Sequence, residues 1–389
     1  MANQEMLLVA CAETTLKSSP VRILLERKIA KHLRIMLSKH GEKPTITRKY
    51  GRIIATGIKD LPIGVALASK VFGVASVMRA IETSTEMNVI VDQAVAYGLK
   101  KIRPGTTFAV RARRVRTHQF TSKDLENAIG SKILEASVGK GIAVDLKKPE
   151  TTINVEVKDD RSFIYSDRVE GPGGLPYGCQ GSVVSLFSGS LSSRLSTWLF
   201  MKRGARVVPL YCDGESLDQD RSRQNALEWL RRIYSDLPVR KPTLIVVPFK
   251  DVLKRIEEAH QPDLQRILRI RAMLTAADVV AKEVNALGIV TGETLGSSIL
   301  SIDEVASRSS GVKTPIHRPV IGFEGGDIQQ LARKASLYDE TNAREISALQ
   351  RSTSRIALNL LSEHEASLGI SSILERALAK REMVLISPQ

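Results

Sequence analysis

The chain has 389 residues, 43% of them hydrophobic and 25% charged, a composition typical of a folded, water-soluble protein with two or three domains. It contains no run of about 18 uncharged apolar residues, so we expect no transmembrane helix, and its polar start predicts no signal peptide. The formal net charge of +15 predicts a polyanionic partner, because basic groups release counterions from nucleic acid when they bind it. The alternative is a merely basic, soluble surface.

Aromatic residues make up 4% of the chain. This argues against a surface on which bases stack, so we expect recognition of an RNA backbone and its shape. The cysteines Cys11, Cys179 and Cys212 show no pairing pattern, which predicts a reducing, cytoplasmic location. The spacing of histidines and cysteines does not predict a metal site.

Residues 1–75 predict a small ferredoxin-like domain with the order β-α-β-β-α. Its expected elements are a strand at Leu7–Cys11, a helix at Val21–Leu37, hairpin strands at Thr45–Thr47 and Arg52–Thr56 with Tyr50 and Gly51 at the turn, and a helix at Leu61–Val71. The first helix carries several basic residues on its polar face. This face is either simply solvated or in contact with RNA.

Residues 76–170 predict a second domain. Its expected elements are a strand at Val77–Glu82, a helix at Met87–Lys100, an arginine-rich strand from Thr107, a helix capped at Thr121, and closing strands at Asp145–Lys148, Thr152–Val157 and Phe163–Asp167. Apolar residues alternate with Arg111 and Arg113, so one face of the arginine-rich strand is apolar and the other is basic. A salt-bridged edge strand is the alternative, but the density of arginines favours RNA contact. The candidate contacts are Arg111, Arg113, Arg114, Arg116, His118 and Lys123.

Gly171–Pro176 predicts a linker. Residues 177–389 then alternate strands and helices, which predicts a doubly wound, mostly parallel α/β sheet. The expected strands are Val183–Phe187, Val207–Cys212, Pro242–Pro248, Gly288–Thr291 and Pro319–Phe323. The expected helices are the stretch after Ser193, Gln224–Ser235, Pro262–Leu287, Ile302–Ser309, Asp327–Ala335, Ala343–Leu361 and Ile370–Ala379.

A loop of small residues, Ser188–Ser193, joins the first of these strands to its helix. Such a loop exposes backbone N–H groups beside the positive end of a helix, which suits a phosphate.

Several segments resemble the tRNA 4-thiouridine synthases, also called thiamine-biosynthesis sulfurtransferases. The matching stretches are the small-residue loop, the helix end from Trp198 to Gly204, the linker, residues 107–125 and the motif Gly292–Gly296. The resemblance spans roughly residues 7–335. It implies a ferredoxin-like domain, a THUMP RNA-binding domain and an ATP pyrophosphatase (PP-loop) domain resembling the adenine nucleotide alpha hydrolases.

The resemblance also implies a reaction, in which ATP adenylates a uracil carbonyl oxygen of tRNA and a persulfide sulfur then displaces AMP. By position, Leu186, Phe187, Tyr211 and Cys212 would flank the adenosine, and Ser188, Gly189, Ser190, Ser192 and Ser193 would cradle the phosphates. Arg271 or its neighbour Arg269, together with Gly292 and Ser301, would complete the ATP site. The implied cofactors are ATP and Mg²⁺. The implied partners are tRNA, a persulfide-carrying sulfur donor protein and a second copy in a homodimer.

Four departures from the family pattern concern the chemistry. Ser190 replaces a glycine that the tight turn would need at positive φ, and Ser192 replaces the aspartate expected to handle Mg²⁺. Both glutamines that follow the family's Gly-Glu motif are absent, and no cysteine follows Cys212. The changes together favour a tRNA-binding protein with a degenerate PP-loop and without catalytic activity. The alternative is an active tRNA sulfurtransferase that takes sulfur from an external donor.

Overall fold

The computed structural model describes residues 5–13, 17–115, 118–214, 219–295, 302–340 and 358–387. The chain divides into two compact units, Met1–Leu175 and Pro176–Gln389. None of the described helices is both long and apolar enough to cross a membrane.

The first unit is built around a mixed sheet. Its elements are β1 (Met6–Cys11), α1 (Ser19–Lys39), β2 (Thr45–Lys49), β3 (Arg52–Thr56), α2 (Leu61–Ala68), β4 (Val74–Thr83), α3 (Met87–Lys101), β5 (Thr107–Arg114), α4 (Ser122–Ala136), β6 (Ala143–Val144), β7 (Thr151–Val157) and β8 (Ser162–Glu170). The strand order is β2-β3-β1-β4-β8-β7-β5-β6. β5 runs parallel to β7 and β6, and the other neighbours are antiparallel.

Local sequence explains the hairpin between β2 and β3. Tyr50 and Gly51 have φ angles of 56° and 67°, the left-handed pair that a tight hairpin turn requires. The predicted turn is therefore confirmed. The predicted strand at Asp145–Lys148 is wrong, because the Asp145 carboxylate accepts hydrogen bonds from the Lys147 and Lys148 amides at 2.8 and 3.0 Å. This side-chain contact bends the chain into a turn.

One sheet runs through both predicted N-terminal domains. β4 crosses the predicted boundary at residue 75 and pairs with β1 on one side and β8 on the other. The first residues of the predicted linker extend this pairing, since the Gly171 and Gly173 amides donate to the Ala75 and Val74 carbonyls at 2.9 and 2.8 Å. A Cβ at position 171 would lie 2.4 Å from the Val74 carbonyl oxygen, so this approach requires glycine.

The second unit is a mostly parallel sheet covered by helices. Its elements are β9 (Ser182–Leu186), α5 (Leu191–Lys202), β10 (Arg206–Asp213), α6 (Gln219–Ser235), β11 (Thr243–Pro248), α7 (Lys250–Glu257), α8 (Pro262–Glu283), β12 (Ile289–Val290), α9 (Ile302–Ser309), β13 (Ile316–His317), α10 (Gly325–Lys334), α11 (Leu358–Ser367), α12 (Ile370–Ala379) and β14 (Glu382–Leu385). The strand order is β13-β12-β9-β10-β11-β14, parallel except for β14. The predicted doubly wound sheet is confirmed.

This topology indicates which edge of the sheet suits a ligand. From β9 the chain builds β10 and β11 on one side and later returns to place β12 on the other. The carboxyl ends of β9 and β12 therefore flank a topological switch point, where open α/β sheets form their binding crevice. The small-residue loop follows β9, and the Gly292 motif follows β12.

The second unit differs from the sequence prediction in two of its strands. The predicted strand at Pro319–Phe323 is wrong, because the Ile321 and Phe323 amides bond to carbonyls three residues earlier and so form turns. The edge strand β14 was not predicted. The predicted helix Ala343–Leu361 lies largely outside the described residues.

Candidate functional site: the loop after β9

The loop after β9 is closed by serine hydroxyls. Gly189 adopts a φ of 85°, and Ser190 is the N-cap of α5, its Oγ accepting from the Ser193 amide at 3.4 Å. Ser188 Oγ lies 3.0 Å from Ser190 Oγ and 3.3 Å from Ser193 Oγ. The positive end of α5 is thus ringed by small polar groups, an arrangement that suits an anion.

Ser190 does not need to be a glycine in this loop. Its φ is −65° and its ψ is 158°, an extended conformation that any residue adopts and that serine favours at an N-cap. The turn takes its positive φ at Gly189 instead. The expectation that residue 190 requires positive φ is therefore wrong.

Gly292 lies directly against the first turn of α5. A Cβ on residue 292 would come within 2.6 Å of the Ser193 amide nitrogen and 2.8 Å of the Ser192 carbonyl carbon. The structure therefore brings together the two glycine-containing segments that the sequence placed in one site. At both Gly189 and Gly292 the missing Cβ makes room for neighbouring backbone, that of Ala226 and of Ser193 respectively, so the glycines let these segments pack closely.

Glu293 anchors the Gly292 segment. Its carboxylate accepts from the Arg318 guanidinium at 2.7 Å, the Arg308 guanidinium at 3.3 Å and the Thr291 hydroxyl at 3.0 Å. All four side chains are buried or nearly so. Such a network holds its segment more rigidly than exposed ion pairs do, because solvent screens it less.

The four residues expected beside the adenosine meet at the ends of neighbouring strands. Leu186 pairs with Leu210, and the Phe187 amide donates to the Leu210 carbonyl at 2.9 Å. Phe187, Tyr211 and Cys212 are buried. Cys212 belongs to the apolar core of this unit, as expected for the alternative that it is a small core residue.

The Arg271 side chain bonds to other residues of the protein. Its guanidinium forms a bidentate pair with Glu365 at 2.7 and 2.8 Å and donates to the Ser307 carbonyl at 2.6 Å and the Ser310 hydroxyl at 2.7 Å. These contacts tie α8 to α9 and α11. Its predicted role toward ATP stays a prediction, and Ser301 lies outside the described residues.

A buried arginine beneath the loop was missed by sequence reasoning. Arg194 is fully buried, and its Nε donates to the Gly189 carbonyl at 2.6 Å. Its Nη1 donates to the Leu337 carbonyl at 3.0 Å, and its guanidinium lies 3.9 Å from the centroid of the Trp229 ring. Spacing offered one signal, since Leu191, Arg194 and Leu195 share the buried face of α5.

Two known protein families match this chain, one in each of its two units. The model of the family described as "Thiamine biosynthesis protein (ThiI)" matches residues 178–351, and the THUMP domain model matches residues 84–167. A probable tRNA sulfurtransferase of Methanosarcina mazei is 32% identical over 343 residues, which cover 85% of this chain and 82% of the relative. A tRNA sulfurtransferase of Thermoplasma volcanium is 32% identical over 345 residues, which cover 88% of this chain and 70% of the relative.

The chain belongs to the ThiI family of tRNA sulfurtransferases. Its fold is also that of a solved 4-thiouridine synthetase–RNA complex with bound ATP. That structure has a TM-score of 0.81 to this one at 22% identity, over 99% of this chain and 100% of the other.

The THUMP region of this ThiI-family chain contains the arginine-rich strand. Strand alternation places Arg111 and Arg113 on one face of β5, where both are exposed, and Arg114 on the opposite face, where it is half-buried. The structure therefore divides the predicted RNA-contact set between two faces. Arg111 donates to the Leu146 carbonyl at 2.5 Å. Among the residues that the structure describes, none of these three arginines forms an ion pair.

Of the remaining RNA candidates, the structure describes His118 and Lys123. Arg114 donates to the His118 carbonyl at 3.4 Å, and the His118 ring stacks on Phe120 with centroids 5.7 Å apart. Lys123 is exposed at the start of α4. Arg116 lies outside the described residues. β6 pairs only with Thr107 and Phe108 of β5, so among the described strands the stretch with the arginines has a partner in β7 alone.

In the part of the chain that the structure describes, no group of three or more His, Cys, Asp or Glu side chains is arranged to hold a metal ion.

Proposed function

We propose that this protein is an ATP-dependent tRNA sulfurtransferase that converts a uridine of tRNA to 4-thiouridine. The observation that carries the proposal is the contact between Gly292 and the first turn of α5. It brings two glycine-containing backbone segments to the switch point of the sheet, beside a helix N-terminus suited to phosphate.

In the proposed reaction, the loop after β9 binds ATP and the Gly292 segment positions that loop. The loop from Ser188 to Ser193 holds the phosphates of ATP through backbone amides and hydroxyls, and Gly292 lets its segment pack closely against the first turn of α5 beside them. ATP supplies an adenylyl group to the uracil O4 atom, and pyrophosphate leaves. Ser192 carries no charge to neutralise Mg²⁺, so the ion would enter the site bound to the phosphates of ATP.

The sulfur comes from outside the chain in this proposal. Residues 213–389 contain no cysteine, and Cys212 is a core residue. The terminal sulfur of a donor protein's persulfide attacks C4 of the adenylated uracil, and AMP leaves. A thiol then reduces the remaining sulfur–sulfur bond, which releases the donor and leaves the thiocarbonyl on the base. The homodimer stays a prediction.

RNA binding is proposed for the exposed arginines of β5. Arg111 and Arg113 point to the same face, where guanidinium groups contact phosphates of an RNA backbone. This binding is expected to be salt-dependent and largely insensitive to sequence.

A second candidate is a tRNA-binding protein whose PP-loop no longer supports chemistry. The observation that favours it is the uncharged loop, in which Ser190 and Ser192 replace glycine and aspartate of the family pattern. The structure removes the conformational part of this argument, because Ser190 is an ordinary N-cap. The missing carboxylate at residue 192, the two absent glutamines and the lack of a cysteine after Cys212 remain, but the relatives favour the active enzyme.

Pyrophosphate release distinguishes the two candidates. The active enzyme releases pyrophosphate from ATP and Mg²⁺ when tRNA is added, with much less release without tRNA. The same assay on Ser192→Asp shows whether a loop carboxylate is the missing group. If the unmodified protein releases no pyrophosphate, binds tRNA normally and gains activity only as Ser192→Asp, the second candidate is correct.

A further inference from the structure

We propose that Arg194 is a positioning residue for the nucleotide, acting on the loop after β9 from beneath. The inference rests on the proposed function, since it concerns the same ATP site. It differs in assigning a role to a residue that does not itself cradle the phosphates.

The burial of Arg194 is costly and therefore needs an explanation. Its relative exposure is 0%, whereas arginine is rarely buried fully. It also lies in the first turns of α5, at the positive end of the helix dipole, where a cation is disfavoured. Both burial and the helix dipole disfavour Arg194 at this position, so the contacts of its side chain must outweigh these two costs.

The contacts of Arg194 converge on the loop. Its Nε bond to the Gly189 carbonyl, at 2.6 Å, fixes the peptide that follows the residue with φ of 85°. Orienting this carbonyl inward also orients the following Ser190 amide, which donates to the Ser188 hydroxyl at 3.3 Å on the side of the serine ring. Arg194 thereby sets the direction of the loop amides without touching the ligand.

Two further segments are held by the same guanidinium. Nη1 donates to the Leu337 carbonyl, just after α10, and the planar group stacks on Trp229 of α6. α6 itself packs against the loop, because a Cβ on Gly189 would lie 3.1 Å from the Ala226 Cα atom. The planar fork of an arginine can bond two carbonyls and stack on a ring at once, which a lysine cannot do.

The position also has an electrostatic consequence. A guanidinium one hydrogen bond away from the loop places a positive charge behind the phosphates, in a region where solvent screens it little. Arg194 therefore stabilises a bound polyphosphate both by geometry and by charge.

The chain offers a matched control on the same ring. Arg232 is exposed on α6 and lies 4.7 Å from the centroid of Trp229. Replacing Arg232 by Met removes the same charge from the same tryptophan. In contrast to Arg194, Arg232 contacts the Trp229 ring and the Ser235 hydroxyl, both on α6 and not in the loop.

The experiment compares Arg194→Met, Arg194→Lys and Arg232→Met in the full chain carrying Trp198→Phe. Since the chain has two tryptophans, Trp229 is then the single indole reporter. ATP with Mg²⁺, and separately inorganic pyrophosphate, are titrated by calorimetry and by Trp229 fluorescence. Circular dichroism and tRNA binding verify that each variant is folded.

We expect ATP to change Trp229 emission in the parent and in Arg232→Met. Arg194→Met should bind ATP at least about tenfold more weakly than the parent, a loss of about 1.4 kcal/mol. The ATP affinity of Arg194→Lys should lie between those of the parent and Arg194→Met. If Arg194→Met does not fold, Arg194→Lys carries the test, because it keeps the charge and loses the double carbonyl contact. ATP affinity of the folded Arg194 variants within about twofold of the parent, under the same conditions, overturns the inference.

These outcomes separate the inference from the proposed function. A parent that binds ATP through an Arg194-dependent loop but makes no 4-thiouridine supports the inference and contradicts the function. If the parent makes 4-thiouridine and its ATP affinity does not depend on Arg194, the function is supported and the inference is contradicted. A parent that does not bind ATP contradicts both.

Discussion

Gly292 and Ser193 are in backbone contact, so close that a Cβ on residue 292 would lie 2.6 Å from the Ser193 amide nitrogen. This contact joins two loops that are about a hundred residues apart in sequence and fixes the shape of the crevice at the switch point. No rearrangement of side chains relieves such a clash, because the atoms on the other side belong to the backbone.

Gly292→Ala is therefore expected to weaken ATP binding by about tenfold or more, corresponding to about 1.4 kcal/mol or more, because the two loops must separate. Calorimetry measures the change. The control is Gly326→Ala, in the first turn of α10, where an added Cβ meets no atom within 4 Å. An ATP affinity of Gly292→Ala equal to that of Gly326→Ala would show that the contact does not shape the nucleotide site.

The cap at Ser190 predicts a contrast between two substitutions. Ser190→Ala removes the oxygen that accepts from the Ser193 amide and should cost about 1 kcal/mol, whereas Ser190→Gly should cost only a few tenths. For a unit of this size we expect the alanine variant to melt roughly 2–4 °C lower. Thermal unfolding followed by circular dichroism checks the order. A glycine variant that melts well above the unmodified protein would mean that Ser190 is strained.

The exposed arginines of β5 predict salt-dependent tRNA binding. Replacing Arg111 and Arg113 together by alanine should weaken tRNA binding and reduce the slope of log K against log salt by about two, since about one phosphate contact is lost with each arginine. The matched control is Lys254→Ala with Arg255→Ala, which removes equal charge from exposed positions of α7. Filter-binding titrations at several salt concentrations give both slopes. Equal slopes for the two double variants would remove these arginines from the RNA interface.

His32 predicts a pH dependence of stability in the first unit. Burial, and then the charges of Lys28 and Lys31, lower the pKa of its imidazole from 6.5 to about 4. Between these values the unfolded chain binds the proton and the folded chain does not. Stability from this residue is therefore complete above pH 6.5 and is lost as the pH falls toward 4.

We expect the unmodified protein to lose on the order of 2–3 kcal/mol from this residue over that range. His32→Gln removes the titrating group and should flatten the curve. Urea unfolding of both proteins at pH 7 and pH 5 measures the difference. The same loss in both proteins would assign the pH dependence to other groups.

Much of the fold was predictable because local sequence patterns determine it. The bounds of α9 and α12 agree with those predicted from helical periodicity, and the hairpin turn follows from Tyr50 and Gly51. β14 could not be foreseen, because it pairs with β11 from the far end of the chain and long-range pairing leaves no local signature. The apolar run near Val320 predicts a strand, but the Ile321 and Phe323 amides bond to carbonyls three residues earlier and form turns.

The site was predictable in its parts and not in its geometry. Glycines and serines marked the loop and the Gly292 motif, but which residue takes the positive φ is set by the N-cap at Ser190 and not by composition. Arg194 was missed because an arginine is normally assigned to the surface. Only its contacts with Gly189 and Trp229 identify it as part of the site.

The most direct test of the proposed function is the formation of 4-thiouridine. Purified protein is incubated with unmodified tRNA, ATP, Mg²⁺ and a persulfide donor with excess thiol, and the digested nucleosides are analysed by mass spectrometry. The account predicts 4-thiouridine that requires ATP and is strongly reduced in Gly292→Ala but not in Gly326→Ala. The absence of 4-thiouridine from the complete mixture, with ATP and tRNA both shown to bind, would contradict it.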